Sequence, residues 1–179
     1  LNANGHIYQY GSIDANGNDF TLNANADNSG AGYALLYNGS SITGSGGNVT
    51  VNGSNTYAYD GSSVDSGGGD LNITGGGLYA YTGANLSSSN GNININSSHF
   101  GYNGANIDAG TGIRTINSQN MSIGTNLTSS QLDAYITDFT NPIEHFTINA
   151  GTTLTADSNY SLNANGHIYQ YGSIDANGN

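Results

Sequence analysis

The residues that could carry acid–base chemistry are few and scattered. The chain of 179 residues has one Lys or Arg against twelve Asp or Glu, with four His and no Cys. Cleaving a polysaccharide needs paired carboxylates or a basic side chain gathered in one groove. Arg114 stands alone, His99 and His145 lie far apart in sequence, and the surroundings of His6 recur around His167. We therefore predict no enzyme, and the lack of Cys excludes a thiol nucleophile, a thiolate zinc site and a disulfide framework.

One acidic segment has the alternation of a calcium-binding loop. Asp14, Asn16 and Asn18 offer oxygen ligands at alternate positions, and Asp19 follows them. An EF-hand loop has Gly at its sixth position and Glu at its twelfth. Asp19 and Asn25 occupy those positions here. Calcium is therefore the one cofactor that the sequence suggests, and turn formation by Asp and Asn is the alternative.

The composition excludes several classes of protein. Gly supplies 28 residues, Gly, Asn, Ser and Thr together exceed half of the chain, and only 7% of residues are charged. A basic stripe that could neutralise nucleic-acid phosphates is absent, and no apolar run is long enough for a membrane-spanning helix. The residue types of helical bundles are scarce. Two options remain, a disordered polar segment or a β-rich repeat, and the 13 Tyr and the β-branched residues favour the second.

Short runs of alternating apolar and polar residues recur along the chain. They occupy 20–23, 49–52, 71–74, 93–96 and 146–149, and the three central runs follow one another at a constant interval. Alternation with period two, with Thr or Asn as the polar partner, is typical of a half-buried strand. Gly, Asn or Ser follows each run and predicts a turn. Because matching runs lie one period apart, we expect like strands to pair in parallel.

A second segment of each period carries aromatic residues in two columns. The predicted stacking residues are Tyr8, Tyr10, Tyr37, Tyr57, Tyr59, Tyr79, Tyr81, Phe100 and Tyr102. Leu35 and Met121 replace aromatic residues at equivalent positions, so we predict that the columns face the core or its corners. Intervening residues such as Gln9, Ala58 and Ala80 are then expected to face outward. The alternative is an exposed aromatic strip that binds a glycan or a neighbouring fibre.

Short turns at a fixed period of roughly 20 residues indicate a solenoid. We predict an all-β chain that forms a parallel β-solenoid, a right-handed β-helix, with coils of about 21–22 residues. A thin core explains the composition, because most positions then face water or form turns. Thr and Asn at outward positions can form hydrogen-bonded ladders.

A long exact repeat contains these coils. Residues 162–179 repeat residues 1–18 without a mismatch. We predict that 1–161 is one solenoid unit and that 162–179 begins the next identical unit and continues the same solenoid. The chain is then a slice of a longer tandem array, and the alternative is a segment duplicated by design.

One insertion interrupts the coil period. Segment 129–144 holds the only Pro of the chain and has apolar residues at helical spacing. They are Leu132, Tyr135, Ile136 and Phe139. We predict a short helix or ordered loop, with Ser130 and Asp133 as its capping box. Its apolar face is expected to form a lateral or unit-to-unit contact, or else to pack on one coil face of its own solenoid.

Several runs of the chain resemble the β-helical repeats of filamentous-haemagglutinin-type bacterial adhesins, which also occur in giant surface proteins. They read GGNVTVNGS (46–54), GGGDLNITGGG (67–77) and NGNININSS (90–98). The resemblance is one of composition and period, and it includes no catalytic or receptor motif. It implies extracellular display at the cell surface and a role as a stalk or adhesive filament.

The sequence thus predicts a structural, extracellular β-solenoid repeat of a giant protein that forms a stiff surface filament, sheath or adhesin shaft. Its expected partners are copies of itself, both tandem units and neighbouring shafts. One alternative is an adhesin that binds glycan or protein through a solenoid face. Another is a fibre of subunits stacked end to end.

Overall fold

Alternating apolar and polar residues form short strands throughout residues 1–178, the part of the chain that the computed structural model describes. The strands are β1 (Asn2–Ala3), β2 (Ile7–Gln9), β3 (Ser12–Asp14), β4 (Phe20–Ala24), β5 (Tyr33–Leu36), β6 (Ser41–Thr43), β7 (Val49–Ala58), β8 (Ser63–Asp65), β9 (Leu71–Tyr81), β10 (Asn85–Ser87), β11 (Ile93–Asn103), β12 (Asn106–Asp108), β13 (Arg114–Asn117), β14 (Asn120–Ile123), β15 (Leu127–Thr128), β16 (His145–Ile148), β17 (Thr153–Thr155), β18 (His167–Gln170) and β19 (Ser173–Asp175). One helix, α1 (Ser129–Ile136), interrupts them.

The strands wind into a parallel β-solenoid of about eight turns, as predicted. We number the turns as coils, by their strands: coil 1 (β1–β3), coil 2 (β4–β6), coil 3 (β7 and β8), coil 4 (β9 and β10), coil 5 (β11 and β12), coil 6 (β13–β15), coil 7 (β16 and β17) and coil 8 (β18 and β19). Like strands of successive coils pair in parallel, in one sheet of eleven strands, one of five and one of three. The right-handed twist and the division into a unit 1–161 and the start of a next unit, 162–179, stay predictions. Asn179, the last residue of the predicted second unit, lies outside the described residues.

The strand register confirms the predicted period. Val49 pairs with Leu71 and Leu71 with Ile93, so these two steps along the chain are equally long. Ile93 pairs with Arg114, which makes the following step one residue shorter. The spacing is larger in two places. A loop within coil 2 separates β4 from β5, and α1 follows coil 6.

The core is a thin column of apolar side chains on the inward faces of the strands. Val49, Leu71 and Ile93 stack above one another with no exposed surface. The three-residue strands β6, β8 and β10 contribute their central residues, Ile42, Val64 and Leu86, which form a similar column. Each fully buried side chain of this kind contributes roughly 1.5–3 kcal/mol.

Polar side chains bind the coils together at one corner. The carboxylate of Asp19 accepts the backbone N–H of Asn48 at 2.9 Å, and the Asn48 side chain accepts that of Asp70 at 2.9 Å. Asp70 continues the ladder to Asn92 at 2.8 Å, and Asn92 continues it to Ile113 at 3.0 Å. Each of these side chains satisfies a backbone donor of the next coil where the strand ladder is interrupted.

Outward Asn side chains form further ladders along the axis. The amide of Asn94 donates to Asn72 at 3.0 Å, and Asn52 donates to Asn23 at 2.7 Å. Thr74 also donates to Asn52, at 2.9 Å. The expectation that Asn and Thr stack along the coils is confirmed at these positions.

A glycine allows β9 to bend in the middle. Gly75 has a φ of 132°, and a Cβ atom there would lie 1.7 Å from the carbonyl oxygen of Gly53 on the coil below. No side chain fits at that distance, so the close approach of the two coils at this bend requires glycine.

Candidate functional site

Aromatic rings form two columns on the outside of coils 1–4. The column that comes first along each coil, which we call column A, contains Tyr57 and Tyr79. Their ring centroids are 5.0 Å apart, and their ring planes differ by 11°. Tyr8 and Leu35 occupy the same strand position in coils 1 and 2. Column B lies two residues further along each coil. Its members are Tyr10, Tyr37, Tyr59 and Tyr81.

The rings of column B stack face to face along the solenoid axis. Their centroids are 4.6 Å apart between Tyr10 and Tyr37, 5.2 Å between Tyr37 and Tyr59, and 5.3 Å between Tyr59 and Tyr81. The planes of neighbouring rings differ by 14°, 26° and 13°. The stacking of these rings, as distinct from their direction, matches the expectation.

The sequence predicts that the columns face the core or its corners, and the core-facing part of this prediction is wrong for these tyrosines. Tyr8 and Tyr10 are 54% and 65% exposed, whereas Ala58 and Ala80, which the pattern places outside, are fully buried. Gln9 is buried as well. The physical reason is that a tyrosine hydroxyl needs water or a partner. An outward stack covers the apolar ring faces with neighbouring rings and leaves the hydroxyls at the surface.

Phe100 and Tyr102 are the two members of the predicted set that do face inward. Phe100 pairs with Leu78 and Tyr102 with Ala80, so both lie one position away from columns A and B. Gly101 takes the position beside Tyr79, and a Cβ atom there would meet the Tyr79 ring at 2.8 Å. Phe100 and Tyr102 therefore belong to neither column. Gly101 makes room for Tyr79, the last tyrosine of column A.

The imidazole of His99 ends column A. Its centroid lies 5.4 Å from that of Tyr79, and its Nε2 is 2.9 Å from the hydroxyl of Ser122. A Ser–His pair becomes a nucleophile and base when a third group orients the imidazole. Burial is the cause that lowers the pKa of His99, and no carboxylate contributes to it. The Ser122 hydroxyl thus holds the imidazole where it stacks on the Tyr79 ring.

The stacked rings should make the fold sensitive to alkali. Burial raises the pKa of Tyr59, Tyr79 and Tyr81 above the ordinary 10.0, with neighbouring tyrosines as a further cause, and burial also raises the pKa of Tyr135. The folded state then holds these protons more tightly than the unfolded state, so the free energy of unfolding falls as the pH rises above about 10. Below about pH 9 these groups add no pH dependence.

Urea midpoints measured by circular dichroism between pH 8 and 11.5 test this. We expect a steady midpoint up to about pH 9.5 and a decline above it. Tyr135→Phe should reduce the slope of the decline, because it removes one of the shifted groups. A midpoint that holds constant to pH 11.5 contradicts the expectation.

Helix α1 lies in the predicted insertion, but its cap differs from the prediction. Thr128 is the N-cap, and it forms a capping box with Gln131 in place of Ser130 and Asp133. The Asp157 carboxylate of coil 7 accepts hydrogen bonds from the hydroxyls of Ser129 and Ser130. These bonds, chiefly the one from Ser129, lower the pKa of Asp157 to about 2. The first turn of the helix is thus joined to the coil that follows it.

The apolar face of α1 packs on its own solenoid. Leu132 is fully buried, and the Tyr135 ring lies 4.3 Å from that of Tyr102. Phe139 lies 6.2 Å from Phe100, and Ile136 also packs against the core. The solenoid thus covers Leu132 completely and Tyr135, Ile136 and Phe139 in part, and the predicted lateral or unit-to-unit contact stays a prediction. The alternative, a decoration packed on its own coils, is the arrangement observed.

Arg114 holds this region together. Its guanidinium donates to the Asp138 carboxylate at 2.5 Å, to the Ile107 carbonyl at 2.7 Å and to the Ala134 carbonyl at 2.5 Å. It also lies 4.4 Å above the Tyr135 ring, as a cation–π contact. Nothing in the sequence indicates this role, because two of the three acceptors are backbone carbonyls.

The residues predicted as a calcium loop form a turn. Asp14 accepts the backbone N–H of Asn16 at 2.8 Å, and Asn16 has a φ of 52°. The side chain of Asn18 donates to the Ala15 carbonyl at 3.0 Å, and Asp19 accepts from the next coil. No group of three or more His, Asp or Glu within residues 1–178 is placed to hold a metal ion. The oxygen atoms serve turn and corner, and calcium binding stays a prediction.

No protein-family model, curated protein or solved structure matches this chain. The fold assignment therefore depends on the strand pairing and burial described above. Within residues 1–178, no helix is long and apolar enough to cross a membrane.

Proposed function

We propose that this chain is a structural repeat of an extracellular β-solenoid that forms a stiff surface filament, sheath or adhesin shaft. One observation carries the proposal. Residues 162–178 repeat the sequence of coil 1 and stack on coil 7 in register, with His145 beside His167 and Thr153 beside Ser173. In this proposal the last coil of the chain is the first coil of the next unit, and both of its strands continue the ladders of coil 7.

Stiffness follows from how the coils are joined. Parallel strand ladders run from coil 1 to coil 8 in the largest sheet, and the corner and Asn ladders add side-chain bonds between coils. Every coil is thus held to the next by bonds that lie along the axis. A rod built in this way resists stretching through many small contacts in parallel, and its stability grows with the number of coils.

The other parts of the proposal extend the resemblance to filamentous-haemagglutinin-type adhesins. They are display outside the cell, self-association of shafts as the main partnership, and a role without catalysis. The small number of charged residues, 7% of the chain, permits close packing of shafts, and the net charge of −11 opposes indiscriminate association.

The alternative of a glycan-binding face gains no support from the aromatic columns. Sugars stack on the faces of aromatic rings, but in columns A and B each inner ring has neighbours over its faces, as Tyr59 has between Tyr37 and Tyr81. Ring edges and hydroxyls are what these columns present to the solvent. The geometry therefore favours a structural role for the stacked tyrosines.

The structure around Arg114 predicts that the native protein resists trypsin, which suits the proposed surface location. Arg114 is the one Lys or Arg of the chain, and its side chain is 19% exposed and held by three hydrogen bonds. Because a protease needs a locally unfolded segment, we expect the native protein to stay intact. In urea it should give two fragments, 1–114 and 115–179, by mass spectrometry. Rapid cleavage of the native protein contradicts this.

Tandem polypeptides test the proposed function itself. We compare by electron microscopy three polypeptides that contain one, two or three consecutive copies of residues 1–161. Each polypeptide ends with a single copy of residues 162–179. Seven coil rises of about 4.8 Å predict that each added unit lengthens a straight rod by about 34 Å. Units that appear as beads with variable angles between them contradict the proposal.

A further inference from the structure

Four tyrosines in coils 3 and 4 form a block of nearly parallel rings, which we call the tyrosine block. Tyr57 stacks on Tyr79 with centroids 5.0 Å apart and planes at 11°, and Tyr59 stacks on Tyr81 at 5.3 Å and 13°. The two rings of coil 3, Tyr57 and Tyr59, are 6.1 Å apart with planes at 11°. Coils 2 and 5 flank the block, so neighbours on both sides set its geometry.

The block presents its reactive edges to the solvent. All four side chains are half-buried, because neighbouring rings cover their faces and leave the edges with the hydroxyls at the surface. When a phenol loses one electron and its proton, much of the unpaired spin lies on the two ring carbons next to the hydroxyl carbon. Because stacked rings are nearly parallel, equivalent carbons of neighbours lie about as far apart as the centroids. Rotation about the side-chain torsions then lets two such carbons meet.

A one-electron oxidant finds few other side chains to attack in this chain. Trp and Cys, the other side chains that readily give up one electron, are absent. The single Met, Met121, has no exposed surface, although Met is a common site of oxidation in proteins. Oxidation at the surface of this solenoid therefore falls on tyrosine.

A second pair of tyrosines is closer together but protected. The centroids of Tyr102 and Tyr135 are 4.3 Å apart, with planes at 39°. Tyr102 is only 8% exposed, and the Arg114 guanidinium lies 4.4 Å over the Tyr135 ring. A cation over the face of a ring is attracted by its electrons and so opposes the loss of one. Access and charge, more than distance, thus favour the tyrosine block as the reactive site.

We propose that the tyrosine block is a site of oxidative cross-linking, where a peroxidase with hydrogen peroxide couples Tyr59 to Tyr81 or Tyr57 to Tyr79. Each phenol loses one electron and one proton to the oxidant, and the two radicals join through ring carbons next to the hydroxyls. Each joined carbon then gives up its hydrogen as a proton, and the phenol oxygen takes up a proton from water, which restores both rings. The product is dityrosine, and one hydrogen peroxide becomes two waters.

The new bond would join coil 3 to coil 4 along the solenoid axis. Like a disulfide, it ties together two positions that are distant in sequence and adjacent in the fold. The inference goes beyond the proposed function and does not depend on it, since it needs only the stacked rings and an oxidant. Loss of the cross-link would leave the straight tandem rods untouched, so the two proposals fail separately.

Peroxidase treatment of the full chain at low protein concentration tests the proposal. Cleavage before each Asp then separates peptides 27–59 and 70–107, which hold the two halves of the block. We expect dityrosine fluorescence from a chain that stays monomeric. The two peptides should appear joined, with a mass two hydrogen atoms below their sum. Treatment in urea should not give this link, because only the fold stacks the rings. A link that forms equally well in urea, or coupling only between separate chains, overturns the proposal.

Matched double variants separate the block from the protected pair. Tyr57→Phe with Tyr59→Phe keeps both rings but removes their phenol groups, and it should abolish the joined peptides. Tyr102→Phe with Tyr135→Phe removes the same number of phenol groups and should leave the yield of joined peptides unchanged. Circular dichroism shows whether each variant keeps the strands of the parent chain. Joined peptides that persist in the first variant, or that disappear from both, overturn the assignment to the tyrosine block.

Discussion

Replacing Phe100 with Ala is expected to lower the free energy of unfolding by about 4 kcal/mol, whereas Tyr79→Ala should lower it by about 1 kcal/mol. Phe100 has no exposed surface and contacts the rings of Tyr102, Tyr135 and Phe139. Its removal leaves a cavity where coil 5 meets the helix. Tyr79 is an outward ring whose loss opens no cavity, and what it contributes is stacking with its neighbours in column A.

Urea unfolding followed by circular dichroism measures both variants. Phe100→Leu serves as the control, because it keeps most of the apolar volume and should cost less than about 1.5 kcal/mol. If Phe100→Ala and Tyr79→Ala have equal effects, then the two residues face the same way and the burial described above is wrong. The order of the two effects is more telling than their size, because a solenoid can unfold in steps.

The strands and the period could be predicted from the sequence because they depend on local pattern. A run such as 49–52 has one apolar face whatever its neighbours are, and turn residues bound it. The constant spacing of Val49, Leu71 and Ile93 is visible as a repeat, and it is the pairing found. A thin core explains why so polar a chain folds, and that argument needs only the composition and the period.

The direction of the aromatic columns could not be predicted, because it depends on a shift of one residue. The turns TGAN (82–85) and NGAN (103–106) align with each other in sequence, and Asn85 does pair with Asn106. Before the turn, the offset between the two coils is one residue larger, since Leu78 pairs with Phe100. One coil has a shorter turn, and a shift of one residue exchanges the two faces of a strand. Alignment by motif therefore placed Phe100 with Tyr79, on the wrong face.

In the candidate site, too, the local features could be predicted from the sequence and the contacts between distant segments could not. The position of α1 could be predicted from apolar spacing, but its cover could not, because coils 5 and 6 supply it through residues distant in sequence. Backbone acceptors leave no trace in a sequence. Arg114 looks like an isolated charge for that reason, although its guanidinium donates to three acceptors on other segments of the chain.

Arg114 lies where the ladder formed by the short last strands of the coils is interrupted, between coil 5 and coil 6. β12 belongs to the five-stranded sheet and β15 to the three-stranded sheet, and the two are not paired. The Ile107 carbonyl of β12 thus faces a neighbouring coil with no strand to donate to it, and Arg114 donates in its place. The same guanidinium binds the Ala134 carbonyl near the end of α1. One side chain therefore joins coil 5, coil 6 and the helix.

Arg114→Met is expected to lower the free energy of unfolding by about 3 kcal/mol, because it leaves two carbonyls and the Asp138 carboxylate without their donor. Arg114→Lys should recover only part of the loss, since an ammonium group cannot reach three acceptors in the planar arrangement that a guanidinium fits. The measurements are urea unfolding and amide hydrogen exchange.

Exchange should quicken in 106–139 and stay unchanged in coils 2 and 3, because in a solenoid each coil contacts only its neighbours. Asp138→Asn combined with Arg114→Met completes a double-mutant cycle, and the two losses should be less than additive, because the partners share one interaction. Full additivity, or exchange that quickens evenly along the chain, contradicts the role of Arg114. If Arg114 joins the ladder that ends at β12 to the one that begins at β15, its loss should loosen the helix while coils 2 and 3 keep their protection.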